Sequence, residues 1–400
     1  MPGPLDGITV LDFTRYQQGP FATVILADLG AGIIKVEPPR GGDYARRMFR
    51  EPDGFSPFFE ALDRGKRSVC IDVRTPAGRE LALLLGERAD IVAENFRPGT
   101  MDKWGLGYTA FRERNPRIIY AQATGWGTRG PLADYPSYDQ IAQAWSGFAQ
   151  HAGGGPGHRP EVPYPGLADQ TGGMNFAVGI LAALVARERT GKGQMVDVSL
   201  LGTQLALQAP DLLYTLRYGR EREREFRASP TVGHYECSDG RWIMVAALDQ
   251  KFWPRLCAAL GVQHIERDER FVRGSARWTH REELQELLAE AFRRDAAGGW
   301  EARLRAHDVP CAVVREYAEV CDDEQAAANG YIVEVDHPRF GPQRVVGPHV
   351  QLSETPSQVA GVAPELGEHT IEVLREAGIP ENQIELLARE GVIAGAGLTD

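Results

Sequence analysis

The chain has 400 residues, 43% hydrophobic and 25% charged, which are the proportions of a globular protein and exclude disordered and fibrous classes. Its length exceeds what one compact core usually organises, so two domains are expected. A formal net charge of −11 excludes a general phosphate-backbone binder, and no apolar run reaches the length of a membrane span.

The N-terminus, MPGPLDGITV, lacks the charged-then-apolar layout of a secretory signal, so a cytoplasmic protein is expected, with no nucleic-acid or membrane partner. Residues 8–13 read as a strand, 19–29 as a helix and 32–37 as a second strand, a β-α-β unit closed by Glu37. An acidic residue there would bind ribose in a nicotinamide enzyme. The turn TRYQQGP has only Gly19, however, so the sheet is Rossmann-like without a dinucleotide site. Further alternation follows: strand 68–73, helix 76–87, strand 90–94, short helices 100–104 and 109–113, and strand 117–123. This predicts an α/β fold with a mostly parallel sheet.

Loop 124–136 is rich in Gly and Pro and follows a strand, where open α/β sheets place ligands. A helix over 138–148 leads to a second flexible stretch, HAGGGPGHRPEVPYPG. Then comes a long helix, with Asp169 expected as its N-cap and its carboxylate facing outward. Gly172, Gly173, Ala177, Gly179, Ala182 and Ala183 leave room for another backbone, Gly191 stops the helix, and 195–200 reads as a buried strand. A helix over 202–218 gives way to a solvated charge run over 217–227.

A smaller α+β unit opens with a hairpin turning at 238–240 and continues through helices 252–260, 281–293 and 299–307 and a strand over 309–315. Extended segments return from 331, and helices 367–376 and 382–389 end the chain. The expected organisation is a large domain over 1–200, a linker over 201–228, a small domain over 229–325, and a segment over 326–400 that rejoins the large one. Five cysteines form no CxxC pair, so no metal site is expected.

Eight segments stand together in order: LDGITVLDFTRYQQGPFAT, LADLGAGIIKVEPPRGGD, RGKRSVCIDVRTPAG, ADIVAENFRPGTMDKWGLGY, NPRIIYAQATGWG, YDQIAQAWSG, GLADQTGGM and RTGKGQMVDVSLL. Through them the chain resembles the class III CoA-transferases, the CaiB/BaiF family that includes formyl-CoA transferase and carnitine CoA-transferase. The resemblance implies transfer of coenzyme A from an acyl-CoA donor to a free carboxylic acid, with CoA as a co-substrate and no bound cofactor. It carries Asp169 over as the nucleophile and Gln17 as a residue at the reacting centre. A carboxylate that attacks a thioester must be ionised, and a helix N-terminus favours the anion by about 0.3 to 1 kcal/mol. For CoA contacts the resemblance implies Arg40, Val73, Arg74, Asn95, Phe96, Arg97, Lys103 and Tyr138, a set that supplies cations for the phosphates. It also implies an interlocked homodimer.

Two departures qualify the match. The small-domain glycine loop of formyl-CoA transferase is absent, the corresponding stretch reading VAALDQKFWP, which points away from oxalate and formate. The α-methylacyl-CoA racemases of the same fold pair the Asp with a His in a GHD segment, since proton removal and return need two bases. Here the segment is SYD, so Tyr138 stands where that His would be and the racemase reading comes second. A non-catalytic CoA-binding protein of this fold is the third reading.

Overall fold

The computed structural model describes residues 2–221 and 229–397. Two compact units form, one from residues up to Arg220 together with those from Gln325 onward, the other from Glu221–Glu324.

The first unit is built on a seven-stranded sheet. Its strands are β1 (Thr9–Asp12), β2 (Gly32–Glu37), β3 (Lys66–Ile71), β4 (Ile91–Glu94), β5 (Ile119–Thr124) and β6 (Met195–Ser199), joined by β12 (Ile393–Ala394) near the end of the chain. Their spatial order is β12-β3-β2-β1-β4-β5-β6, parallel throughout except for β12, which runs antiparallel to β3. Strand residues alternate faces, and the core divides accordingly. Leu11, Ile34, Val69 and Val92 bury against one side, while Val10, Ile33, Ile91 and Ile119 bury against the other.

The helices up to the second unit are α1 (Gln18–Asp28), α2 (Pro57–Asp63), α3 (Pro76–Arg88), α4 (Thr100–Lys103), α5 (Tyr108–Arg114), α6 (Asp139–Trp145), α7 (Phe148–Gly153), α8 (Leu167–Thr190), α9 (Leu200–Leu207) and α10 (Ala209–Tyr218); α1 and α8 pack on one face of the sheet, α3 and α5 on the other. The small residues of α8 serve the expected close approach. A Cβ on Gly173 would stand 2.6 Å from the Gln18 carbonyl oxygen, so α1 and α8 cross almost backbone to backbone. That crossing brings the start of α1 over the first turns of α8.

Several expectations change. The helix over 202–218 is two helices meeting at Gln208, because Pro210 enters the first turn of α10 and has no N–H to continue α9. The strand expected to be buried at 195–200 is the sheet's edge, with Met195 exposed. The stretch HAGGGPG is not all loop, since α7 claims its first residues. Of the charge run over 217–227, residues 222–227 lie outside the described residues.

The second unit has an antiparallel sheet of β7 (Val232–Glu236), β8 (Trp242–Ala246) and β9 (Cys311–Val313), with the hairpin turn where the sequence places it. Helices α11 (Phe252–Leu260), α12 (Gly274–Thr279), α13 (Arg281–Phe292) and α14 (Ala297–Ala306) enclose Trp253, Phe271, Phe292 and Trp300. Both indoles keep a polar partner: Trp253 Nε1 donates to the Glu266 carbonyl at 3.0 Å and Trp300 Nε1 to that of Phe292 at 2.7 Å. After α15 (Tyr317–Cys321) the chain returns to the first unit within α16 (Glu324–Ala328), and there a hairpin of β10 (Ile332–His337) and β11 (Gly341–Val346) precedes α17 (Thr370–Glu376) and α18 (Glu381–Arg389). Among the described residues, no helix is long and apolar enough to cross a membrane.

Candidate active site

The strand order reverses between β1 and β4, and open parallel sheets form a ligand crevice at the carboxyl ends of such a pair. The loop after β1 carries Arg15, Tyr16 and Gln17, and the loop after β4 carries Asn95, Phe96 and Arg97. Asn95 ties the two loops together: its Oδ1 accepts the Arg15 N–H and its Nδ2 donates to the Arg15 carbonyl, each at 2.8 Å. The Arg15 guanidinium lies 5.0 Å over the Phe96 ring, which meets Trp104 edge-on.

Beneath this loop is a fully buried ionic network. Lys35 Nζ donates to the Thr14 carbonyl and to Asp43 Oδ2, both at 2.9 Å, and reaches Asp63 at 3.1 Å. Lys66 binds Asp63 at 2.8 Å and Asp12 at 3.1 Å, while Asp12 also accepts from Thr14 and Thr23. Burial opposes the charge on Lys35, but Asp43, Asp63 and Asp12 hold its pKa above the usual range. Asp43 in turn accepts the Tyr16 N–H at 3.4 Å. Tyr16 itself sits at φ 62°, a left-handed backbone rare for an aromatic residue and held here by its surroundings. Glu37, the would-be ribose ligand, is spent on Arg46 at 2.7 and 2.8 Å and on Ser68, and Arg46 and Lys35 outweigh burial to bring it down to about 2.

Asp169 is half-buried and lies in the first turn of α8, but it is not the cap. The helix begins two residues earlier, at Leu167, after Gly166 in a left-handed conformation at φ 110°. The cap comes from elsewhere. Asp139, at the start of α6, accepts the Ala168 N–H at 2.6 Å and the Asp169 N–H at 3.0 Å on Oδ1. Gln143 Nε2 donates to the other oxygen at 2.6 Å and to the Tyr164 carbonyl at 3.1 Å. The expected stabilisation of the Asp169 anion is therefore reversed: burial first, then the Asp139 charge, push its pKa up to about 7. The helix-end donors that would have favoured it already serve Asp139.

Gln17 lies at the same place. A Cβ on Gly166 would stand 2.5 Å from Gln17 Nε2, so the amide rests on the residue that opens α8. Tyr138 is the residue before α6, and its ring meets that of Tyr16 edge-on at 6.5 Å, while the Tyr44 ring lies 5.6 Å from that of Tyr16. The crossing of α1, α6 and α8 thus brings Gln17, Tyr138 and Asp169 together. Asp139, Tyr16 and Tyr44 escape a sequence reading. Only the acidic residue following Tyr138 at a helix start could have signalled a cap, and nothing local shows which helix it caps.

The remaining expected residues sit on loops at the same edge of the sheet. Arg40 follows β2, Val73 and Arg74 follow β3, Asn95, Phe96 and Arg97 follow β4, and Lys103 ends α4. Arg40, Arg97 and Lys103 are exposed and make no ion pair among the described residues. Arg74 is exposed but closed on Asp72 in a fork at 2.8 and 2.9 Å, and Val73 packs on the core.

The profile of CoA-transferase family III matches residues 5–370. An acyl-CoA transferase of Fusarium pseudograminearum is 36% identical over 98% of this chain and 88% of its own length. The acetyl-CoA:oxalate CoA-transferase of Acetobacter aceti is 34% identical over 95% of this chain and 97% of its own. Among solved structures, a CaiB/BaiF family protein from Brucella suis superposes with a TM-score of 0.84 at 32% identity, covering 94% of this chain and all of that one.

Proposed function

The chain belongs to CoA-transferase family III, and from that premise we propose that it moves coenzyme A from an acyl-CoA to a free carboxylic acid with Asp169 as nucleophile. The carrying observation is the Asp169 carboxylate held in the first turn of α8, its backbone fixed by Asp139 and the Gln17 amide resting on the adjoining Gly166. An ionised Asp169 oxygen attacks the thioester carbon and the C–S bond breaks, leaving an aspartyl anhydride and the CoA thiolate. The thiolate attacks the aspartyl carbonyl and the donor acid departs, forming an aspartyl-CoA thioester. The acceptor carboxylate displaces the thiolate to give a second anhydride. Attack of the thiolate on the acceptor carbonyl then regenerates Asp169 and releases the new thioester. One thioester is broken and one made, so the sequence needs no ATP. Gln17 has the amide N–H to meet the developing oxyanion.

The unpaired cations Arg40, Arg97 and Lys103 support binding of the CoA phosphates, with Arg74 available on release from Asp72. A homodimer is the proposed assembly. Its support is the apolar outer surface of unit one, where Val178 and Val185 of α8 and Leu213 and Leu216 of α10 are exposed. Sedimentation at the mass of a single chain would overturn it.

Incubation in heavy water with several acyl-CoA donors, a 2-methylacyl-CoA among them, and mixed carboxylic acids tests the reaction. Mass spectrometry should find an added acid as its CoA ester, with no deuterium in the donor. Deuterium at the α-carbon without acyl exchange would instead establish the racemase reading. Unchanged turnover in Asp169→Ala would remove this residue from the chemistry.

A further inference from the structure

A recess of about 310 Å³ lies between the segment after β2 and the chain's return, and it shares no lining residue with the Asp169 centre. Arg46, Arg47, Arg50 and Arg339 all line it, a dense cationic wall for a protein of net charge −11. Two of these charges are already matched. Arg46 is forked onto Glu37, and Arg339 binds Glu365 at 3.0 Å and the Asp53 carbonyl at 3.1 Å. Arg47 and Arg50 have no carboxylate partner among the described residues; Arg50 makes only a 3.3 Å bond to the Gly54 carbonyl, and Arg47 rests over Tyr44.

His337 adds a buried donor. Its Nδ1 accepts the Arg339 and Phe340 N–H groups at 3.1 and 3.3 Å, which leaves the ring proton on Nε2. The His337 side chain is 5% exposed, and Nε2 has no hydrogen-bond partner; Glu60 Oε2 stands near it at 3.5 Å. That N–H is held 3.5 Å from the Glu60 carboxylate without making a hydrogen bond, and a buried N–H left so costs about 1–3 kcal/mol, which an acceptor in the recess would relieve.

We propose that this recess is an oxyanion site for a small phosphate-bearing molecule, received by Arg47, Arg50 and His337. These donors come from three different segments, a short turn, the loop after it and the end of β10. Donors arriving from separate directions suit a tetrahedral oxyanion better than a planar carboxylate, for which a single fork suffices. Arg47 also stacks on Tyr44, which touches Tyr16 beside Gln17, so occupancy has a direct path to the active-site loop.

Glu60 makes the site proton-linked. Burial raises its pKa to about 7 against the Ala363 N–H, and Glu365, Arg46, Asp63 and His337 also face it. An ionised Glu60 repels an incoming anion and a protonated one does not. Binding should therefore tighten as pH falls through 7, and an occupied site should raise the Glu60 pKa further.

Calorimetric titration of the full-length protein with inorganic phosphate at pH 7, in a chloride buffer of fixed ionic strength, tests the assignment. Sulfate, a dianion at both pH 6 and pH 8, tests the proton linkage. One saturable site per chain is expected, weakened about tenfold or more in Arg47→Gln/Arg50→Gln and retained when CoA is present. Glu60→Gln should bind sulfate at pH 8 as wild type does at pH 6. Absence of saturable binding in a wild-type protein that melts normally would overturn the proposal, as would unchanged affinity in a folded double variant. Displacement by CoA would overturn it too, since the recess would then be part of the CoA site.

Discussion

The backbone N–H of Asp169 donates to Oδ1 of Asp139 at 3.0 Å, so one carboxylate caps the helix that presents the other. Two carboxylates share one helix end, and only Asp139 receives its N–H donors. The position of Asp169 and its reluctance to ionise have this common origin.

Activity should consequently have an acid limb near pH 7. In the proposed reaction the attacking form is the Asp169 anion, and burial with the Asp139 charge sets its pKa to about 7, so kcat/KM should rise from pH 6 to pH 8. Asp139→Asn keeps an oxygen to accept both N–H groups but removes the charge, and it should move the limb to lower pH. Asp139→Ala removes the cap as well and should lower stability by about 1–2 kcal/mol. A pH profile of initial rates checks both, and an unmoved limb in Asp139→Asn would count against the charge coupling.

Stability should move the other way from activity. Folding raises the Asp169 pKa from 3.8 to about 7, so the folded chain favours the protonated carboxyl more than the unfolded chain does. This contribution is intact below the unfolded pKa and is lost as pH rises through the folded one. Asp169→Asn should raise Tm at pH 8 by about 2–5 °C, with a smaller gain at pH 5. Thermal melts at the two pH values decide it, and an equal effect at both would mean that burial of the charge is not the cause.

Gly166 is the joint between Gln17 and α8. Its φ of 110° disfavours any side chain, and an alanine Cβ would meet the Gln17 amide at 2.5 Å. Gly166→Ala should cost about 1–3 kcal/mol and lower kcat about tenfold or more, because both the amide and the first turn of α8 shift. Gln17→Ala should lower kcat with little change in Tm. Comparing the two by melting and single-turnover rates separates the helix start from the amide.

The Asn95 clamp should report on the thioester. Asn95→Asp can still accept the Arg15 N–H but cannot donate to the Arg15 carbonyl, and it sets a negative charge among the expected phosphate ligands. KM for the acyl-CoA should rise about tenfold, with kcat less affected. Steady-state kinetics over donor concentration would show this, and an unchanged KM would place the CoA phosphates elsewhere.

The alternation of strands and helices, glycine stops and the run of small residues in α8 made the parallel sheet and the room for another backbone against α8 legible from the sequence, because those signals act over a few residues. The expected CoA-contact residues were legible as separate loop segments, and the sheet sets them along one edge. Tertiary structure decided what each polar side chain faces. It made Asp139 the cap of a helix some thirty residues away, turned Asn95 onto the Arg15 backbone, buried Lys35 and Lys66 among Asp12, Asp43 and Asp63, and closed the His337 recess with the returning chain. Secondary structure follows from local periodicity, whereas pKa values and hydrogen-bond partners depend on charges brought near by the fold. The sequence therefore marked Asp169 as the residue to watch, and only the packing of α6 against α8 determined how readily it ionises.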